Sequence, residues 1–204
     1  MHVSPAPLQP NRAIVIGAGI AGLAASLMLC LGGMRVTLLE RHGHLGGKIR
    51  TLPSDAGPVD AGPTVLTMRR VFDDLFEAAG TRLKEHVTLI PQEILARHFW
   101  PDGSSLDLFA DPARSKDAIA AFAGSASAED FERFHKRTAK LFDAFDAPMM
   151  QAPKPDLRNL VPLVLKRPDL LYAMAPLSTL KQSLKKQFRD KRLAQLFGRY
   201  ATYV

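Results

Sequence analysis

Hydrophobic and polar positions fall into blocks that predict a βαβ unit at the front of the chain. Ala13-Ile14-Val15-Ile16 is a short apolar run followed at once by glycines, the pattern of a buried strand. Residues 20–31 are small and apolar and stop at Gly32-Gly33, which predicts a helix. Residues 34–39 predict a second strand, with Glu40 at its end. Strand, helix and strand over so short a stretch imply parallel strands, because a helical crossover is what joins parallel neighbours. Residues 41–63, rich in Gly, Pro and Asp, read as a loop.

Helical periodicity resumes over residues 68–79, where Val71, Phe72, Leu75 and Phe76 share a face and Gly80 stops it. Residues 94–100 and 105–109 read as strands around the turn Pro101-Asp102-Gly103-Ser104. Asp111 is placed to cap a helix ending near Gly124. Ser127, with Asp130 three places on, predicts the start of a longer helix that Pro148 ends. Phe131, Phe134, Phe142 and Phe145 recur along it at helical spacing and are assigned to core packing in preference to a ligand-lining stripe. Residues 148–176 mix Met, Leu and Pro and predict short helices and loops. Ser178 or Thr179 then caps a helix with Leu180, Leu184 and Phe188 on one face and Lys181, Lys185, Lys186 and Arg189 on the other.

Composition narrows the class. The chain has 204 residues, 47% hydrophobic and 23% charged, which excludes collagen-like, coiled-coil and wholly disordered chains. Residues 1–12, with three prolines, read as a flexible lead-in. No run approaches the roughly 20 apolar residues of a bilayer span, so a cytoplasmic or peripheral protein is expected, not an integral one. The net charge of +7 is uneven: from Lys154 onward eleven Lys and Arg face three Asp, leaving the first 153 residues at −1. Such a basic segment suits an anionic membrane surface or nucleic acid. Residues 181–192 offer no run of aromatic side chains for base stacking, so no nucleic-acid partner is expected. The single cysteine, Cys30, excludes a disulfide framework and a cysteine-based zinc site within one chain, and its apolar surroundings predict a buried thiol. His42-Gly43-His44 supplies only two neutral ligands, so no metal site is expected.

The chemistry is concentrated in Gly17-Ala18-Gly19-Ile20-Ala21-Gly22, a G-x-G-x-x-G between the first strand and its helix. Gly17 permits the tight turn, Gly19 lets backbone approach a pyrophosphate, and Gly22 lets the helix pack closely on the sheet. The phosphates would rest on N–H groups at the helix start, where the dipole favours an anion. Glu40, 18 residues after Gly22, is placed to accept from both ribose hydroxyls, which disfavours a 2′-phosphate and hence NADP. The run Glu40-Arg41-His42-Gly43-His44-Leu45-Gly46-Gly47-Lys48 adds a glycine pair, which lets the chain pass close to a ligand, and Lys48, which brings positive charge beside phosphate.

This extended signature resembles the flavin-binding motif of glutathione-reductase-like and amine-oxidase-like flavoproteins. Asp60-Ala61-Gly62-Pro63-Thr64, the helix ending Glu77-Ala78-Ala79-Gly80, and Trp100-Pro101-Asp102-Gly103 resemble the bacterial phytoene-desaturase-type carotenoid desaturases. Leu95-Ala96-Arg97-His98, Leu108-Phe109-Ala110-Asp111 and Phe197-Gly198-Arg199-Tyr200-Ala201-Thr202-Tyr203 are most similar to one branch, the 1-hydroxycarotenoid 3,4-desaturases or methoxyneurosporene dehydrogenases. The resemblance runs from about residue 13 to the last.

It implies an α/β fold in which a Rossmann-like FAD-binding domain is interleaved with a substrate domain and a helical, membrane-touching region. Residues 13–90 would be the N-terminal part of the FAD-binding domain. Residues 91–204 would begin the substrate domain and carry the basic helical, membrane-contacting region. Family members run to more than twice this length, so the C-terminal half of the enzyme is expected to lie outside this chain, which alone would be inactive. Gly17, Ala18, Gly19, Ile20, Ala21, Gly22, Glu40, Arg41, Gly47 and Lys48 would carry the ADP part of FAD, with Gly62, Pro63 and Thr64 nearer the flavin. The reaction implied is dehydrogenation of an acyclic, hydroxylated or methoxylated carotenoid, with FAD accepting the electrons, at an anionic membrane surface on the cytoplasmic side. The resemblance assigns no catalytic acid or base and no terminal electron acceptor. Two other classes share the flavin motifs. Amine- or protoporphyrinogen-oxidase-like enzymes are opposed by residues 60–64 and 100–103, and non-catalytic isoprenoid-binding escort proteins would bind without reaction.

Overall fold

The computed structural model describes residues 11–63, 65–152, 154 and 156–199, which divide between Ile90 and Pro91 into two compact units. In the first, β1 (Arg12–Ile16) and β2 (Arg35–Leu39) run parallel, paired from Arg12 with Arg35 to Ile16 with Leu39. They are joined by α1 (Ile20–Leu31). Gly32 and Gly33 close α1, their N–H groups donating to the Met28 and Cys30 carbonyls at 3.0 and 2.9 Å. The segment expected to be only loop contains a short antiparallel ladder, β3 (Thr51–Leu52) with β4 (Val59–Asp60), which folds residues 51–60 back on themselves. α2 (Arg69–Ala78) follows and ends against Gly80, as its pattern predicts.

Little of this unit is buried. Ala18 and Leu83 are its buried hydrophobic side chains among the described residues, while Ile14 and Ile16 in the apolar run of β1 are 67% and 85% exposed. Cys30 is exposed as well, contrary to expectation, because no described residue covers that side of α1.

The second unit has a core. β5 (Ile94–Phe99) and β6 (Ser105–Phe109) form an antiparallel hairpin with a register shift between Ile94 and Ala96. Asp102 shapes the turn, accepting from the Ser104 N–H and hydroxyl at 2.9 and 2.6 Å. Leu106 and Leu108 of β6 pack beneath α3 (Pro112–Ala123) and α4 (Ser125–Phe145). Asp111 caps α3, accepting from the Ala113 N–H at 2.9 Å. Four shorter helices complete the unit: α5 (Leu157–Lys166), α6 (Pro168–Met174), α7 (Leu180–Gln187) and α8 (Lys191–Gly198). Phe197 of α8 sits among Phe131, Phe134 and Phe188, with ring centroids 5.9, 4.7 and 5.1 Å away. Each fully buried side chain of this size contributes about 1.5–3 kcal/mol. Phe131 and Phe134 thus pack in the core, whereas Phe142 is exposed.

Three local expectations are corrected. α4 starts at Ser125, so Ser127 and Asp130 lie inside it, both buried, and do not cap it. Asp130 instead accepts from the Arg189 backbone N–H at 3.0 Å and its Nε at 2.9 Å, and pairs with Arg133. Pro148 does not end the helix; α4 stops at Phe145 and passes into a wide turn, Asp146–Met150. There the Gln151 N–H reaches back five residues to the Asp146 carbonyl at 3.1 Å, a turn that asks no N–H of Pro148. The helix expected after Thr179 is two helices. Thr179 and Gln182 cap α7 reciprocally at 3.2 and 3.0 Å, Phe188 is extended, and Asp190 caps α8 through the Arg192 N–H at 2.7 Å. No helix among the described residues is long and apolar enough to cross a membrane.

Candidate functional site

The site is built where β1 ends. The Gly17 N–H donates to the Leu39 carbonyl at 2.7 Å, tying the glycine loop to the end of β2, and Gly17 turns with φ +96°. A Cβ at Gly22 would stand 1.8 Å from the Gly17 carbonyl oxygen, so the third glycine is required first by the turn of the first. Gly19 occupies the N-cap of α1 and offers no side chain, and the first turn carries no acidic residue. The helix start therefore keeps N–H groups without side-chain acceptors, an arrangement suited to an anion.

Glu40 binds the same loop. Its Oε2 accepts from the Ala18 N–H at 2.7 Å and its Oε1 from the His42 N–H at 3.0 Å. These two bonds, the Ala18 one foremost, hold the carboxyl below its ordinary value. It is ionised at neutral pH, and each oxygen keeps a further lone pair for another donor.

The second glycine pair was expected to pass a ligand; the structure places it against the glycine loop itself. The Gly46 N–H donates to the Ala18 carbonyl at 2.8 Å, and a Cβ at Gly47 would lie 3.1 Å from the Gly19 Cα. Gly62 continues the stack, since a Cβ there would fall 1.9 Å from the Lys48 carbonyl oxygen. Three glycine-bearing segments distant in sequence thus meet backbone to backbone.

Beside them lies a cleft of about 440 Å³ lined by Arg41, His42, Gly47, Lys48, Arg50 and Gly62, with Ala61 and Pro63. It brings together Arg41, Gly47, Lys48, Gly62 and Pro63 of the predicted set; Thr64 lies outside the described residues. Arg50 and His42 were missed. The signal for Arg50 was its closeness in sequence, two residues beyond Lys48. Arg41, Lys48 and Arg50, and no carboxylate among the described residues, line this cleft, and an ionised acid and an uncapped helix start stand at the glycine loop. That donor set fits a dinucleotide: pyrophosphate on the backbone and cations, ribose on Glu40. Among the described residues no group of three His, Cys, Asp or Glu could hold a metal ion.

Comparison with known proteins agrees with this geometry. A family model for NAD(P)-binding Rossmann-like domains matches residues 15–79. The chain is 55% identical over 193 residues to a hydroxyneurosporene desaturase of Cereibacter sphaeroides, covering 95% of this chain and 39% of that protein. It is 53% identical over 191 residues to the protein so named in Rhodobacter capsulatus, and 33% identical over 202 residues to a phytoene dehydrogenase of Streptomyces griseus. These matches cover 94% and 95% of this chain and 39% and 38% of those relatives. The chain therefore spans about two fifths of the length of these relatives, matching their N-terminal part.

Proposed function

We propose that this chain, a homologue of the hydroxyneurosporene desaturases over about 95% of its length, forms the N-terminal part of an FAD-dependent desaturase of an acyclic, hydroxylated or methoxylated carotenoid in carotenoid biosynthesis. The observation that carries the reading is the joint packing of Gly17–Gly22, Glu40 and Gly46-Gly47 around one helix start. A minimal dinucleotide turn needs only the first of these; the added glycine pair and base are what favour FAD.

In this reading the start of α1 and the bare backbone of Gly19 face the pyrophosphate, with Ala18, Ile20 and Ala21 completing the loop. Arg41 and Lys48 balance its charge, joined by Arg50. Glu40 accepts from the ribose hydroxyls while its bonds to Ala18 and His42 keep it aimed. Gly62 and Pro63 lie toward the flavin. FAD, when bound, accepts the hydrogen removed from the polyene, and the protein supplies orientation.

The second partner is an anionic membrane surface, reached from the cytoplasmic side. The support is the exposed set Lys181, Lys185, Lys186 and Lys191, which carry no ion pair among the described residues. Arg189 and Arg192 are not part of it, being engaged by Asp130 and by Asp190 and Asp102.

The test is Glu40→Ala in the full-length protein. Losing a charge-assisted hydrogen bond of about 1.5–3 kcal/mol should weaken FAD at least tenfold and turn a yellow preparation pale. Unchanged FAD affinity would remove the assignment, and absence of product from hydroxylated acyclic carotenoids would remove the substrate class.

A further inference from the structure

The corner between α6 and α7 is built unlike the rest of the second unit. α6 buries Leu170 and Ala173. It is held to α4 by Arg137, whose Nε donates to the Ala173 carbonyl at 2.7 Å, and by the Lys140–Asp169 ion pair at 2.6 Å. On the other side of α6, among the described residues, Leu171 and Met174 are exposed, and Tyr172 is 89% exposed. The helix ends at Ala175 with φ +48°, a left-handed conformation that a residue with a Cβ adopts only when its surroundings demand it. The Ser178 N–H returns to the Ala175 carbonyl at 2.9 Å, closing a turn in which Leu177 is 100% exposed.

Charge follows directly. Lys181, Lys185 and Lys186, all within nine residues of Leu177, are exposed and unpaired among the described residues. Lys185 and Lys186 also open on a cleft of about 1070 Å³ whose wall carries Arg133 and Arg137 beside Asp130 and Asp169. Of the apolar face of α7, Leu184 is in the core with Phe188 just beyond the helix, and Leu180 at its start is exposed beside the corner. The apolar surface adjoining these lysines is the corner.

We propose that this corner inserts into the bilayer, Leu177 and Tyr172 entering the boundary between headgroups and acyl chains while Lys181, Lys185 and Lys186 lie on the phosphates of anionic phospholipids. The proposal rests on the membrane reading above and names its contact. A bare apolar tip alone would suit a protein partner as well; the unpaired lysines beside it select an anionic surface. A tyrosine at the boundary has its ring in the apolar layer and its hydroxyl in water.

The experiment uses the full-length protein with its cofactor and vesicles of phosphatidylcholine with or without phosphatidylglycerol. In Leu177→Trp, the added indole should shift to the blue and be quenched by brominated acyl chains only when phosphatidylglycerol is present. Leu177→Asp should bind those vesicles about tenfold more weakly. Lys185→Gln with Lys186→Gln should weaken binding roughly fivefold per lysine at low salt. If the parent binds anionic vesicles while the indole stays unquenched and Leu177→Asp binds equally well, insertion is overturned and the membrane reading stands. If the parent binds no vesicle, the membrane reading fails and takes the insertion with it. If Leu177→Asp instead loses cofactor or thermal stability with vesicle binding unchanged, the corner packs against protein and the proposal is wrong.

Discussion

The two units carry apolar segments of similar strength and treat them differently. In the second, ten hydrophobic side chains from β6, α3, α4, α7, α8 and the link between the last two form one buried cluster. In the first, β1 and β2 are as apolar as any strand in the chain, yet Ile14, Ile16 and Leu39 stay exposed. The difference lies in what each unit supplies to itself. A hairpin with helices over one face closes its own core, and the charged outer positions Arg97 and Asp107, paired at 2.7 Å, tolerate water. A parallel pair has both faces apolar and needs cover on both. One helix covers at most one of them, so the other face stays open among the described residues.

The sharpest way to break this comparison is Gly22→Ala. Its Cβ would sit 1.8 Å from a backbone oxygen, which only a shift of α1 or the loop can relieve. Complete loss of flavin from the full-length protein on gel filtration is expected. The second unit, followed through Trp100 against Phe122, should unfold as before. Full flavin retention would mean that the loop is not held by this contact.

Leu193→Ala measures the second unit's core. Leu193 is wholly buried, and its truncation should cost about 2–5 kcal/mol in denaturant unfolding. Ile16→Ala should cost within about 0.5 kcal/mol in residues 1–204 expressed alone, as for an exposed site. In the full-length protein the same change should cost about as much as Leu193→Ala. Equal small costs in both contexts would show that β1 stays bare.

Asp130→Ala should cost about 1–3 kcal/mol, confined to the second unit, because it leaves the part-buried Arg189 backbone N–H without its acceptor. Burial pushes the Asp130 carboxyl up, but hydrogen bonds from the Arg189 side chain and backbone, with the charges of Arg189 and Arg133, leave it below the ordinary value. Its stabilisation is therefore fully present above about pH 4 and is lost as pH falls through the lower folded value. The unfolding midpoint of the second unit should drop in that acid range, and Asp130→Ala should flatten the drop.

The sequence by itself determined whatever rests on neighbours along the chain. The βαβ order, the hairpin around Pro101-Asp102-Gly103-Ser104, the cap at Asp111, a cap at Ser178 or Thr179 and the need for glycine at 17 and 22 all follow from contacts within a few residues, or from steric rules of single residues. Only the tertiary structure decided the rest. Ser127 and Asp130 have the spacing of a cap, yet Asp130 is claimed by Arg189, 59 residues away, whose charge a buried carboxylate needs more than a helix end does. Gly46-Gly47 was legible as a close approach, but that Gly19 is what it approaches depends on how the loop returns. Cys30 and Ile16 look like core and are exposed, while Leu184 and Phe188, on one face of an amphipathic pattern, are buried. A pattern states which face of an element is apolar; whether that face is covered depends on segments elsewhere, since burial is a property of two surfaces and the pattern describes one.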